Sequence, residues 1–153
     1  MPTVLSGHFT LEEMILSQTA AREGIDNTPS AAIVQNLRRL AGVLEEVRSL
    51  LGGVPIQVSS GYRSLALNTA IKGADNSAHI RGLAADFTAP RFGTVIEVAR
   101  KIAASSSPYD QLIHEYGAWV HIGLSETGVA PRRQNLSIFQ GTGYLQGILD
   151  KPS

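Results

Sequence analysis

The sequence predicts an α+β fold: a small, mostly antiparallel β-sheet with helices packed on it. Three observations carry this reading. Helical periodicity fills the first third of the chain, and short β-branched runs then mix with further helical stretches. The runs QLIHEY and AWVHIGL are separated only by a turn around Gly117, and so short a connection favours antiparallel pairing. The length of 153 residues fits one domain, 1–153, with no room for two full ones.

Each element has a local reason. In FTLEEMILSQTAARE, Thr10 can cap a helix and Glu13 stands at the capping-box position. Leu11, Met14 and Ile15 follow at helical spacing, and Gly24 ends the segment before the turn Asp26-Asn27-Thr28-Pro29. From Ser30 to Leu51 the residues Ile33, Leu37, Leu40, Leu44, Val47 and Leu51 form one apolar stripe. Arg38, Arg39, Glu45, Glu46 and Arg48 take the other face, and Gly52-Gly53 stops the helix. VPIQVSS reads as a strand, Arg63 to Ile71 as a short helix, GADNSAHIRG as a loop and LAADFTA as a second strand. Phe92 to Ala104 is a further helix, broken by Ser105-Ser106-Ser107-Pro108. QLIHEY and AWVHIGL complete the strands, whereas the tail from Pro131 scatters glycines among isolated apolar residues and shows no clear period.

Composition excludes several classes of function. The chain has no cysteine, which removes disulfide frameworks, thiolate metal sites and cysteine nucleophiles. Thirteen basic and thirteen acidic residues balance to a net charge of zero, which argues against bulk binding to nucleic acid or to an anionic membrane. No apolar stretch is long enough to span a bilayer. MPTVLSGHFTLEEM lacks the basic and apolar regions of a signal peptide. The expectation is synthesis in the cytoplasm, with action elsewhere only after lysis, release or delivery in a particle.

The chemistry concentrates in SAHIRGLAADF and WVHIG. His79 and Asp86 are seven apart across a loop-to-strand transition, and His121 lies on a later strand. Two imidazoles and a carboxylate suit zinc, and three protein ligands leave a position for water, as catalytic sites require. By spacing alone, an unrelated loop histidine, a turn aspartate and a sheet histidine would look the same.

Further residues stand around these in order. Ser60-Gly61-Tyr62-Arg63-Ser64, then Ser77-x-His79-x-x-Gly82-x-Ala84-x-Asp86, then Trp119-x-His121 resembles the zinc D-Ala-D-Ala carboxypeptidase family, in particular its short phage- and prophage-associated branch. The resemblance runs from about Phe9 to Gly123. It implies the fold shared with the hedgehog signalling domain and hydrolysis of peptide bonds in peptidoglycan stem peptides, by a carboxypeptidase or an endolysin-type endopeptidase. It implies Zn2+ held by His79, Asp86 and His121, and a cleft-facing Arg63 able to bind a substrate carbonyl or carboxylate. Ser77 is a candidate for substrate binding, with a loop-turn role as the alternative, and Gly82 for a special backbone conformation. The implied partner is a cell-wall peptide, with the protein a monomer or a component of a phage particle.

The general base departs from the better-known pattern. Many relatives carry an acid three residues before the last histidine ligand, where this chain has Ala118. Glu115 is the nearest carboxylate and His114 stands beside it. Neighbours on a strand point to opposite faces, so only one of the two can face the metal. An acid at the end of this strand is usual in the short branch, which selects Glu115, with His114 as the alternative. Asp110 is a weaker candidate for orienting a ligand imidazole, a turn role being the other reading. Ala118 also leaves open a non-catalytic virion or wall-binding module that keeps the fold. A serine hydrolase is disfavoured, because no G-x-S-x-G occurs.

Overall fold

The computed structural model describes residues 2–152. Five helices are α1 (Leu11–Ile15), α2 (Gln18–Glu23), α3 (Ala31–Leu50), α4 (Leu65–Ala70) and α5 (Val95–Ala103). Six strands are β1 (Gln57–Ser60), β2 (Ala84–Thr88), β3 (Gln111–Glu115), β4 (Trp119–Gly123), β5 (Gln134–Ile138) and β6 (Leu145–Gln146). They form one sheet in the order β1-β2-β4-β3-β5-β6.

The expected first helix is two. Thr10 and Glu13 make the predicted capping box, but the helix stops at Ile15 and Leu16 turns extended. The carbonyls that would continue it are taken elsewhere: Tyr62 N–H donates to Met14 O at 2.8 Å and Asn27 Nδ2 donates to Ile15 O at 2.8 Å. Ser17 then caps α2 by accepting from Ala20 N–H. Tertiary hydrogen bonds thus override a continuous helical pattern, and they dock α1 onto the residues after β1.

The long helix follows its stripe. Ser30 caps α3, and Leu37, Leu40, Leu44 and Val47 are fully buried. They pack in one apolar cluster with Phe87, Leu112, Val120 and Ile122 from the sheet and Val98 and Ile102 from α5. Alternation along the strands sends these sheet residues to the helix side. Asp86, Ile113, Glu115, Trp119 and His121 therefore lie on the opposite face.

The sheet is mixed. Four neighbouring pairs are antiparallel, but β3 and β5 run parallel. The cause is topological. β4 is flanked by β2 and β3, so the chain leaving it must reach the free edge of β3. A strand laid there from the Gly123 end has the direction of β3. The crossover is fastened at Asp110, whose carboxylate takes Arg132 Nη2 at 2.8 Å and Nε at 3.1 Å, while its carbonyl takes Gln134 N–H at 2.9 Å. The Arg133 guanidinium lies 4.6 Å over the Tyr109 ring. The tail that showed no period in the sequence thus supplies two strands. Among the described residues no helix is long and apolar enough to cross a membrane.

Leu44→Ala should lower the unfolding free energy by about 2–5 kcal/mol, read from urea unfolding, because the lost side chain leaves a cavity beneath the sheet. A loss below about 0.5 kcal/mol, the range of ordinary surface substitutions, would mean that α3 does not anchor the core.

Candidate metal centre

The centre starts from register. Asp86 on β2 is paired with His121 on β4, and His121 with Ile113 on β3. Partners across a rung share a face, so a carboxylate and an imidazole meet on the side away from the helices. Asp86 Oδ1 lies 2.9 Å from His121 Nδ1.

His79 comes from outside the sheet. It sits on a short 3-10 turn, Ala78–Arg81, that begins with Ser77 Oγ accepting from His79 N–H at 3.2 Å. Gly82 ends the turn at φ 71°, a conformation that side-chain-bearing residues rarely adopt. His79 is 2% exposed, and its Nδ1 lies 2.6 Å from the Gly61 carbonyl. A carbonyl only accepts, so Nδ1 carries the proton and Nε2 presents its lone pair. That lone pair faces Asp86 Oδ1 at 3.3 Å.

This geometry fits a cation. Burial lowers the His79 pKa, and the attraction of Asp86 does not restore it, so the neutral ring is favoured. A neutral ring with its proton on Nδ1 aims one acceptor at another. A positive charge between Nε2 and Oδ1 resolves that conflict. Ligand atoms of His79, Asp86 and His121 all lie within 4.8 Å of one another, and the nitrogen and oxygen donor set is that of an open catalytic site rather than a closed structural one. Burial pushes the Asp86 carboxyl up, but the adjoining His121 and His79 imidazoles outweigh it and hold the group well below the usual carboxylate range. Asp86 is therefore ionised and ready to bind.

A cleft of about 530 Å3 opens over the three residues and is also lined by Arg63, Ser77, Glu115 and Tyr144. Arg63 is part-buried after β1, where its N–H donates to His79 O at 3.1 Å. Its Nη1 donates to Asn68 Oδ1 at 3.1 Å, while its Nε is buried without a partner among the described residues. Burial lowers its pKa and the Asp86 and Glu115 carboxylates oppose that shift.

Glu115 ends β3 two residues beyond Ile113, and so faces the cleft. Burial raises its pKa, and the Asp86 charge raises it further. The Trp119 indole N–H favours the carboxylate, yet it is buried without a hydrogen-bond partner among the described residues, so no bond between them is formed. His114 points to the other face. Its Nδ1 meets Leu149 O at 3.0 Å and its ring stands edge-on to Phe139. Asp110 lies at the cleft rim but spends its carboxylate on Arg132 rather than on an imidazole. Ala118 closes the hairpin turn by donating its N–H to Glu115 O at 2.9 Å.

Three contributors escaped the sequence reading. Asn68, buried in α4, also donates to Ala74 O at 3.0 Å and so ties Arg63 to the cleft-wall loop. Asn27 donates to Tyr62 O and accepts from Ser64 N–H, bracketing Arg63. Tyr144 reaches the cleft from the tail. No motif marks them: Asn27 acts on residues 35 and 37 positions away, and Asn68 joins two loops on either side of its own short helix.

A Cβ on Gly61 would fall 2.3 Å from Met14 O, so no side chain fits while its carbonyl holds His79. Gly61→Ala should therefore weaken binding of Zn2+ or Co2+ by about 10–100-fold in chelator competition, the usual cost of losing a hydrogen bond behind a ligand histidine. Unchanged affinity would show that the Gly61 carbonyl does not orient the ring.

Comparison with known proteins agrees with this geometry. A family model described as Peptidase M15 matches residues 7–123. That stretch contains Gly61, Arg63, His79, Asp86, Glu115 and His121, and it ends where β4 ends. A search of curated proteins found no match. The His-Asp-His cluster and a match over most of the sequence lead to one conclusion: the chain belongs to the Peptidase M15 family of metal-dependent peptidases.

Proposed function

We propose that this protein is a zinc peptidase that hydrolyses peptide bonds in bacterial peptidoglycan stem peptides. The observation that carries the reading is the convergence of His79, Asp86, His121, Glu115 and Arg63 from separate elements on one open cleft. Zinc suits two imidazole nitrogens and a carboxylate, and the chain has no thiolate to offer instead. When bound there, the cation supplies Lewis-acid polarisation of a carbonyl and acidifies water for attack at neutral pH.

The chain's own residues divide the remaining work. Glu115 accepts a proton from the attacking water as the new C–O bond forms. It then returns that proton to the amide nitrogen as the C–N bond breaks, so the glutamate is regenerated and an acid and an amine leave. Its raised pKa makes it a better base than a solvated carboxylate. Arg63, which lines the cleft, holds the carbonyl oxygen or a terminal carboxylate of the substrate, its positive charge suited to the negative charge that develops there. His79 keeps its tautomer through Gly61, which fixes the nitrogen it presents. Ser77 shapes the turn that carries His79 and borders the cleft.

A wall-binding module without turnover rests on Ala118 standing where relatives carry an acid. The Glu115 carboxylate at the cleft supplies an acid from the preceding strand end, which favours catalysis over binding alone.

Digestion of crosslinked and uncrosslinked muropeptides, followed by mass spectrometry, tests the reading. The expected outcome is metal-dependent release of stem-peptide fragments, and intact muropeptides in the presence of Zn2+ would overturn it. His121→Ala should abolish both metal binding and turnover. Activity retained by that variant without metal would exclude a metal mechanism.

Glu115→Gln should keep the metal and lose about 10²–10⁴-fold in kcat. It should also raise the Tm of the metal-free protein at pH 7. A carboxyl whose folded pKa is raised supports folding below its unfolded pKa and loses that support as pH rises through the folded value. At neutral pH the ionised group is therefore a liability that a neutral amide removes. An undiminished kcat would remove Glu115 from the mechanism, and a lower Tm would contradict the direction of its shift.

A further inference from the structure

The stretch matched by the family ends at Gly123, but the cleft does not. Strand β5 pairs Ile138 with Glu115, and β6 pairs Leu145 with Ser137. Tyr144 immediately precedes β6, one residue beyond the end of that ladder. Trp119, Glu115 and Ile138 form one row across three strands, on the face that carries His121 and Asp86, and Tyr144 lines the same cleft.

Packing does not account for this tyrosine. Tyr109, the buried counterexample, is 0% exposed and donates its hydroxyl to Asn135. Tyr144 remains 62% exposed although it borders the cleft. Its position is nonetheless fixed by the tail around it. Ser137 Oγ donates to Gly147 O at 2.8 Å and accepts from Leu149 N–H at 2.9 Å, and the buried His114 meets Leu149 O. These bonds flank the residue on its C-terminal side, and Thr142 Oγ1 accepts from Phe139 N–H at 3.0 Å on the other. An exposed phenol on so tied a segment is preorganised for something outside the chain.

We propose that Tyr144 is a substrate-contacting residue, whose hydroxyl donates a hydrogen bond to a carbonyl or carboxylate oxygen of the peptide lying in the cleft. The inference rests on the peptidase reading and adds a contact from beyond the family-matched stretch. Donation is the role its surroundings favour. Burial raises the phenol pKa, and the Glu115, Tyr116 and Asp86 groups raise it further, so the proton stays on the oxygen at neutral pH. Glu115 and Asp86 already supply acceptors on this side of the cleft. A tyrosine lining the same cleft gives the site a neutral donor that does not compete for the cation.

The test uses the zinc-loaded protein and a synthetic pentapeptide, L-Ala-D-Glu-L-Lys-D-Ala-D-Ala. Trp119 is the only tryptophan and lies in the row with Glu115, so its fluorescence reports occupancy. Binding is measured in the Glu115→Gln background, where the peptide is not consumed, and kinetics in the otherwise native protein. Tyr144→Phe should weaken binding about 3–10-fold and raise KM with little change in kcat, as expected for one neutral hydrogen bond. Zinc stoichiometry and Tm should stay unchanged, and Tyr144→Ala should lose at least as much. Unaltered Kd and KM in both variants would overturn the proposal. A loss in Tyr144→Ala alone would transfer the contact to the ring and equally overturn the role of the hydroxyl. If the native protein neither binds nor cleaves the pentapeptide or the muropeptides, the peptidase reading falls first. A native protein that cleaves while both variants match it would fail this inference alone.

Discussion

Asp86 lies opposite His121 in the β2–β4 ladder, and the chemistry of the cleft depends on that pairing. A slip of one residue would turn His121 into the apolar cluster and send Val120 or Ile122 outward. The slip is prevented from the helix side. Phe87, Val120 and Ile122 are fully buried against α3 and α5, and exposing them would forfeit roughly 1.5–3 kcal/mol each. The apolar face therefore sets the register, and the register places the ligands. His79 is the one ligand that the sheet does not carry. It is bound to the sheet through Gly61 O, and Gly61 in turn lies against Met14 O, so α1, β1 and the 3-10 turn form a single mount. The break after Ile15 is part of this mount, because the carbonyls that α1 gives up hold the residues around Arg63.

Much of this was legible in the residues. The α3 stripe, the caps at Thr10 and Ser30 and the β3–β4 hairpin all follow from local periodicity and turn chemistry. The metal trio was visible only as a motif order. Spacing does not distinguish His79 and Asp86 from an unrelated loop histidine and turn aspartate. What the residues could not show was set by partners far along the chain. Ser17 looks like an ordinary helix residue until Asn27 and Tyr62 draw off the carbonyls before it. The parallel β3–β5 pair is invisible locally, because its direction follows from which edge of the sheet is free. The short, glycine-rich strands of the tail are held by Ser137, His114 and Asp110 rather than by their own pattern.

His114 and Glu115 show how a period-two rule resolves into chemistry. The sequence allowed one of them to face the cleft. Register places Glu115 with Trp119 and His121, which leaves His114 with Val120 on the helix side. There the imidazole is not idle. Its bond to Leu149 O and its edge-on contact with Phe139 fasten the tail beneath which β5 and β6 are built. The same alternation that exposes the carboxylate thus turns His114 to fasten the segment that follows Tyr144.

The two carboxylates of the cleft are pushed in opposite directions, and this separates their roles. Asp86 loses solvation but gains two imidazole partners, and the partners win. Glu115 loses solvation and gains a neighbouring negative charge, and neither His121 nor Arg63 offsets both. Asp86 is consequently poor at taking a proton and well suited to holding a cation. Glu115 is the group whose protonation changes most easily near the reacting atoms. Environments that split two acids in this way commonly mark a division between charge holder and proton carrier. The split also acts on folding. Ionised Asp86 stabilises the native state, and that contribution is lost as pH falls through its depressed folded value. Glu115 works against the native state as pH rises through its raised value. The register that stabilises the charge of one carboxylate thus places the other where its charge is costly, and a base made costly in this way is more reactive than one in open water.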